Sequence, residues 1–301
     1  NRYQTMNKNL YYFNNHLLRL TKLIDIGKLP KVLMLSGQKG QGKFTLVHHF
    51  LSYIFDKNNY DLENSKINEK NKLFKDIKEN YNSNIIYFNC GEKKIKIDDI
   101  RNLRIELQKS SINNYNRYII FDDAEYLNDN CVNALLKTIE EPSTINYFIL
   151  INNKNQKILD TLKSRSIEIM FFLNNDEKSN VIKKIISDFE IENKIDINNT
   201  TLTPGSYLSY NKIILEEKID LNDELIINID KLLKLNKQKK NISYFSLAIH
   251  LINQYYFNKS KDKSNTSVYN DKRISIIKKI NESNKLNLNH INLIAEIESY
   301  I

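Results

Sequence analysis

Residues 37–43, Gly37-Gln-Lys-Gly40-Gln-Gly42-Lys43, carry the clearest chemistry in the sequence. They fit G-x-x-x-x-G-K, a pattern that works only between a strand and a helix. Glycines let the backbone curl so that several N–H groups aim at one anion, and the helix N-terminus adds its positive dipole end. Lys43 brings a point charge to the β- and γ-phosphates of a nucleoside triphosphate. The next position calls for Ser or Thr, whose hydroxyl ligates Mg²⁺. This chain has Phe44 there, and a phenyl ring offers a hard cation no oxygen. Thr45 stands one helical step on, turned by about 100°, and is a poor substitute. Two readings follow: a phosphate loop that has lost its nucleotide chemistry, or an active site in which Thr45 supplies the hydroxyl. ATP and Mg²⁺ stay open as cofactors.

A second piece of chemistry is Tyr118-Ile-Ile-Phe121-Asp122-Asp123, an apolar run ending in two acids. In phosphate-loop ATPases the first acid holds the metal and the second, usually Glu, orients the attacking water. Asp123 is one methylene shorter than Glu, and a displacement of about a bond length costs on the order of 10²-fold in rate. The plain alternative is an acidic pair that merely ends a strand. His48, His49, Cys90 and Cys131 show no ligand spacing and read as packing or surface residues.

These loops need a sheet to hold them. Val32–Leu35 is continuously apolar, as a strand covered on both faces requires, and residues 44–55 form an apolar helix behind the loop. Further strands are expected at 84–89, 118–121, 147–151 and 167–171. They alternate with helices at 98–110, with Asp98 as N-cap, at 129–140 and at 158–162. In the 129–140 helix Val132, Leu135, Leu136 and Ile139 share one face, and Pro142 stops it. A helix over 9–27 precedes the first strand; residues 56–82, polar and rich in Lys and Asn, read as a helix with loose loops. Strand–helix alternation means an α/β fold with a parallel sheet covered on both sides. After 173 it gives way to short helices over 175–215, interrupted at Thr203-Pro204-Gly205, and to helical patterns alone over 222–301. Domains are therefore expected at 1–173, 174–220 and 221–301.

Of 301 residues 41% are hydrophobic, enough for a core. The net charge of +9 is spread through a chain crowded with Lys, Asn and Ile, which reads as a solvated surface rather than a nucleic-acid stripe. Two Cys cannot build a disulfide framework or a four-thiolate site. No run of apolar residues is long enough to cross a membrane, and the N-terminal residues lack a signal core. A cytoplasmic protein is expected. Asn1 leaves open whether the native start is present.

Residues Asp122 to Pro142, with Asn133-Ala-Leu-Leu-Lys-Thr-Ile-Glu-Glu-Pro142 at their heart, and Asp160-Thr-Leu-Lys-Ser164-Arg165-Ser166 together resemble the bacterial DNA polymerase III clamp-loader subunits. That family carries NALLKTLEEP and T-(I/L)-x-S-R-C; Ser166 stands where it has Cys. The resemblance covers about residues 28–173, and beyond them only domain order. It implies an AAA+ P-loop domain, a small helical lid and a C-terminal helical collar that assembles into a heteropentamer. It implies as partners gamma/tau-type and delta-type subunits, the sliding clamp and primer–template DNA. Within the family the altered loop is most similar to the delta-prime type, a stator, rather than the ATP-hydrolysing gamma/tau type. Residues 55–88 contain no Cys, so the family's zinc module is not expected. Residues 204–210 hold no arginine at the "sensor 2" position. Asn152 or Asn153 takes the "sensor 1" position, with Asn152 as the candidate. Arg165 is implied to act in trans, reaching a neighbour's ATP site; a surface arginine or an intrachain ion pair is the plain alternative. A non-replicative P-loop adaptor remains a third possibility.

Overall fold

The computed structural model describes residues 7–73, 84–109, 116–140, 143–197, 201–260, 266–286 and 290–300. Glu141 and Pro142, the expected helix stop, lie outside the described residues, as do 74–83. The described chain forms two compact units, Asn1–Glu192 with Ile197–Ser206, and Asn193–Asp196 with Tyr207–Ile301.

The first unit is built on a parallel sheet. Its strands are β1 Val32–Ser36, β4 Ile85–Asn89, β5 Arg117–Asp122, β6 Asn146–Asn152 and β7 Ile167–Met170, in the order β4-β5-β6-β1-β7. All neighbours run parallel, with Leu35 opposite Ile151 and Asp122 opposite Ile151 and Asn89. Alternation sends successive side chains to opposite faces, and here both faces are covered. Leu33, Leu35, Ile120, Ile149 and Ile151 pack with helices α1 (Asn14–Asp25) and α2 (Lys43–Phe55). Val32, Met34, Ile119, Phe121, Phe148 and Leu150 pack with the helices Ile97–Gln108 and Asp129–Ile139. Double coverage explains why these strands read as unbroken apolar runs. The expected α/β architecture is the one observed.

Four local details differ from the sequence reading. The first helix begins at Asn14, not near residue 9; Phe13 precedes it with φ 66°, and Leu10 N–H bonds Ser65 O at 3.1 Å. In residues 56–82, read as a helix with loose loops, the described part holds a short 3-10 turn and an antiparallel hairpin, β2 Tyr60–Asp61 with β3 Lys66–Ile67, before helix begins at residues 72–73. Two-residue strands leave no periodicity to read. What fixes the hairpin is tertiary: buried Tyr60 pairs with buried Ile67, and the Asp61 carboxylate accepts Asn64 N–H in the turn. Asp98 is not the N-cap of its helix. The helix starts at Ile97, Asp99 accepts the Lys96 N–H at 2.8 Å, and Asp98 pairs with Arg101. Residues 175–215, expected as a few short helices, form the helices Asn175–Phe189 and Pro204–Glu216.

The second unit is helical. It comprises the rest of Pro204–Glu216, then Leu225–Lys239, Ile242–Lys259, Thr266–Leu286 and His290–Glu298. Its core includes Ile229, Leu232, Leu247, Ile252, Ile276, Ile280 and Ile297, all buried. Tyr207 donates to Ile195 O at 2.9 Å, tying residues 193–196 into the unit. No helix among the described residues is long and apolar enough to cross a membrane.

Candidate functional site

β1 ends at Ser36 and α2 begins at Lys43, so Gly37–Gly42 form the expected strand-to-helix loop. Gly42 takes φ +93° and Gly40 φ +85°, a region that only glycine enters cheaply. Gly40 is also constrained from outside: a Cβ there would stand 2.4 Å from Thr203 Oγ1 and 2.9 Å from Ser206 N. The Thr203–Ser206 turn lies directly on the loop tip. Thr203 Oγ1 donates to Lys39 O at 2.7 Å, and Gly205 N–H donates to Gly40 O at 2.8 Å. The turn that lacks a sensor arginine thus makes a backbone seal on the phosphate loop.

Lys43 is 3% exposed. Its Nζ donates to Gly37 O at 2.6 Å and Gln38 O at 2.8 Å, so the ammonium is satisfied by its own loop. Burial lowers its pKa to about 8, with Asp122, Glu125 and Asp123 opposing the shift.

At the end of β5 the acids Asp122 and Asp123 are buried, as is Glu125. A buried carboxylate is tolerated only with donors, and each of the three has them. Asp122 Oδ1 accepts Asp123 N–H at 2.9 Å, and Oδ2 accepts the Tyr87 hydroxyl at 2.9 Å. Asp123 accepts Asn153 Nδ2 at 2.6 Å and faces Lys39 Nζ at 3.3 Å. Glu125 accepts the backbone N–H groups of Asn153 and Asn155 and the Asn155 amide. Of the two asparagines left open, Asn153 reaches the acids; Asn152 donates to Ser36 Oγ at 3.2 Å. Adjacent strand residues point to opposite sides, and Asn153 comes just after the strand's last residue.

A magnesium ion does not fit this arrangement. Where the metal-binding hydroxyl belongs, the Phe44 ring meets Tyr87 edge-on at 5.7 Å. Tyr87 in turn donates its hydroxyl to Asp122 Oδ2 at 2.9 Å. The half-buried Thr45 follows on the next helical step. Asp122 therefore works here as a hydrogen-bond acceptor within the protein.

Arg165 lies apart from this cluster, after the short helix Asp160–Lys163. Ser164 Oγ and Ser166 Oγ donate to that helix's last carbonyls, Thr161 O and Leu162 O, each at 3.1 Å. Ser166 thus provides a hydroxyl donor where the resembled motif has a thiol. The Arg165 side chain is 39% exposed and held by Glu140, which ends the Asp129–Ile139 helix, with Nε and Nη2 both 2.8 Å from Glu140 Oε1.

A parallel sheet in this order, with a phosphate loop after β1 and paired acids after β5, defines an AAA+ P-loop protein. Comparison with known sequences narrows the class. The family described as "DNA polymerase III, delta subunit" matches residues 14–175, more than half of the chain, and the chain belongs to that family. It is 34% identical over 78 residues to DNA polymerase III subunit delta′ of Pseudomonas aeruginosa, 26% of this chain and 24% of the relative. It is 24% identical over 205 residues to DNA polymerase III subunit gamma of Buchnera aphidicola subsp. Acyrthosiphon pisum, 66% of this chain and 55% of the relative. The match thus spans about a quarter to a half of these relatives' lengths. A gamma subunit-related DNA polymerase III protein from Thermotoga maritima shares the fold, at TM-score 0.52 and 17% identity, covering 94% of this chain and 99% of that one. The family is that of the clamp-loader AAA+ proteins, and the delta-prime type suspected from the altered loop is represented among the relatives.

Two residues of the cluster, and one beside Arg165, escape motif reading. Tyr87 lies in an ordinary apolar strand. Glu125 follows the acid pair, and only the fold turns it inward. Glu140 stands inside the resembled helix motif, with nothing local to mark it as the partner of Arg165.

Proposed function

We propose that this chain is a delta-prime-like stator of the DNA polymerase III clamp loader. It does not turn over ATP itself; it presents Arg165 to the ATP site of a neighbouring subunit and helps the assembly load a sliding clamp on primed DNA. In this reading residues 174–220 act as lid and 221–301 as collar, and the partners are gamma/tau-type and delta-type subunits. The observation that carries it is the contrast between the two sites. In the chain's own loop Phe44 stands in place of the hydroxyl residue and Tyr87 binds Asp122, while the guanidinium of the family's Ser-Arg motif is 39% exposed and paired only with the half-exposed Glu140 among the described ion pairs. A guanidinium aimed at a transferring phosphoryl group is worth about 10³–10⁵ in rate, which explains why a subunit with an altered site of its own keeps Arg165.

The test is a pair of variants in the reconstituted complex. Lys43→Ala leaves clamp loading within about twofold of wild type, and Arg165→Ala lowers ATP turnover while assembly stays intact. Mg²⁺-dependent ATP turnover by the isolated chain, abolished by Lys43→Ala, overturns the stator reading in favour of a gamma/tau-like ATPase. Failure to associate with other clamp-loader subunits favours a non-replicative adaptor.

A further inference from the structure

We infer that Glu140 is a positioning residue for Arg165, an inference that rests on the trans-arginine reading above. Glu140 is the residue that follows the last turn of the Asp129–Ile139 helix, with its N–H on Leu136 O. A carboxylate at that place faces the negative end of the helix dipole, where a cation is favoured. A favourable reason for an acid there has to come from outside the helix, and Arg165 supplies it.

The geometry is directional rather than merely attractive. Nε and Nη2 converge on the single oxygen Oε1, each at 2.8 Å. Nη1 is held from the other side by Thr161 O at 3.2 Å and Ser164 Oγ at 3.4 Å. Hydrogen bonds thus engage Nε and Nη1, while Nη2 stands in ion-pair contact with the carboxylate. Glu140 on one side and the 161–164 turn on the other therefore fix the plane of the group, and no hydrogen bond among the described residues takes Nη2.

Both partners are substantially exposed, 39% for Arg165 and 48% for Glu140, and an ion pair of that kind adds little to folding. What it does is remove rotamer freedom from a long side chain before a phosphate arrives. Preorganisation of this kind acts on the transition state. The Glu140 carboxylate also tempers the positive charge, so the contact must be strong enough to orient and weak enough to share the guanidinium with a second anion. A half-exposed pair meets that condition; a buried one would not.

The experiment measures steady-state ATP hydrolysis in the reconstituted complex carrying wild-type chain, Arg165→Ala, Glu140→Ala, Glu140→Gln, Glu140→Asp or the double variant Arg165→Ala/Glu140→Ala. The expected result is a drop in kcat of about tenfold for Glu140→Ala, with KM for ATP within twofold. Glu140→Gln keeps the shape and one acceptor oxygen, guards against a folding defect, and falls between wild type and Ala. Glu140→Asp, which keeps the charge, recovers part of the loss, and the double variant is no slower than Arg165→Ala. If Arg165→Ala lowers kcat and both Glu140→Ala and Glu140→Gln keep wild-type kcat, the positioning role is overturned while the trans-arginine reading stands. If Arg165→Ala leaves kcat unchanged, the trans-arginine reading itself falls.

Discussion

The helix behind the phosphate loop carries two adjacent buried histidines, and they make its stability depend on pH. His49 is fully buried. Its Nε2 faces Asn7 O at 3.1 Å and its Nδ1 faces the Tyr60 hydroxyl at 2.7 Å. A carbonyl only accepts, so Nε2 carries the proton and Nδ1 accepts from Tyr60. His48 is 4% exposed, and its buried Nε2 has no hydrogen-bond partner among the described residues. Burial pushes the pKa of His48 down to about 3, with His49 adding to the shift, and that of His49 down to about 4. Both are neutral in the folded protein, whereas the unfolded chain protonates them below pH 6.5. The unfolded state then binds more protons, and stability falls as pH drops below 6.5. At pH 5 each histidine costs about 1.4 kcal/mol for each of roughly 1.5 pH units, so about 2 kcal/mol apiece and about 4 kcal/mol for the pair. That is a large part of an ordinary domain's stability of about 5–15 kcal/mol. Urea unfolding followed at α2 between pH 8 and pH 5 reads this directly. His48→Leu, which also removes the orphan nitrogen, should lose about half of the pH-dependent drop. A wild-type midpoint that stays level from pH 8 to pH 5 refutes the reasoning, and so does a His48→Leu slope equal to the wild-type slope.

Two further perturbations address the site. The double variant Phe44→Thr/Tyr87→Phe puts a hydroxyl at the position after Lys43 and frees the Asp122 oxygen that accepts the Tyr87 hydroxyl; calorimetry should detect tighter Mg²⁺-dependent ATP binding than in the wild-type chain, and no gain would show that these two rings are not what disfavours the metal. Asn153→Ala strips a donor from a buried carboxylate and should cost about 1–3 kcal/mol in denaturant unfolding, while Ser36→Ala, which removes one neutral bond from Asn152, should cost about 1 kcal/mol; equal costs would mean that Asn153 does not serve the acids.

The sequence was most legible where a local pattern is sufficient. Val32–Leu35, Tyr118–Phe121 and Tyr147–Ile151 are apolar without alternation because each strand is covered on both faces, and that property needs no knowledge of neighbours. The glycines of residues 37–42 announced a loop whose backbone must enter positive φ, and the structure has Gly40 and Gly42 there. The replacement of a metal-binding hydroxyl by Phe44 was likewise plain, since it turns on what one side chain can ligate. The hairpin at residues 60–67 was not legible: its strands are too short for any period, and it is held by Tyr60 and Ile67 entering a core assembled from elsewhere.

Residue types and their spacing along the chain thus determined the sheet, the loop and the family motifs, because those depend on dihedral preference, periodicity and local chemistry. The partnerships were decided by the tertiary structure. Tyr87 meets Asp122 across 35 positions, Arg165 meets Glu140 across 25, and Thr203 reaches Lys39 across 164. Hydrogen bonds and ion pairs act over a few ångströms of space, and only the folded backbone fixes which distant residues come within that range.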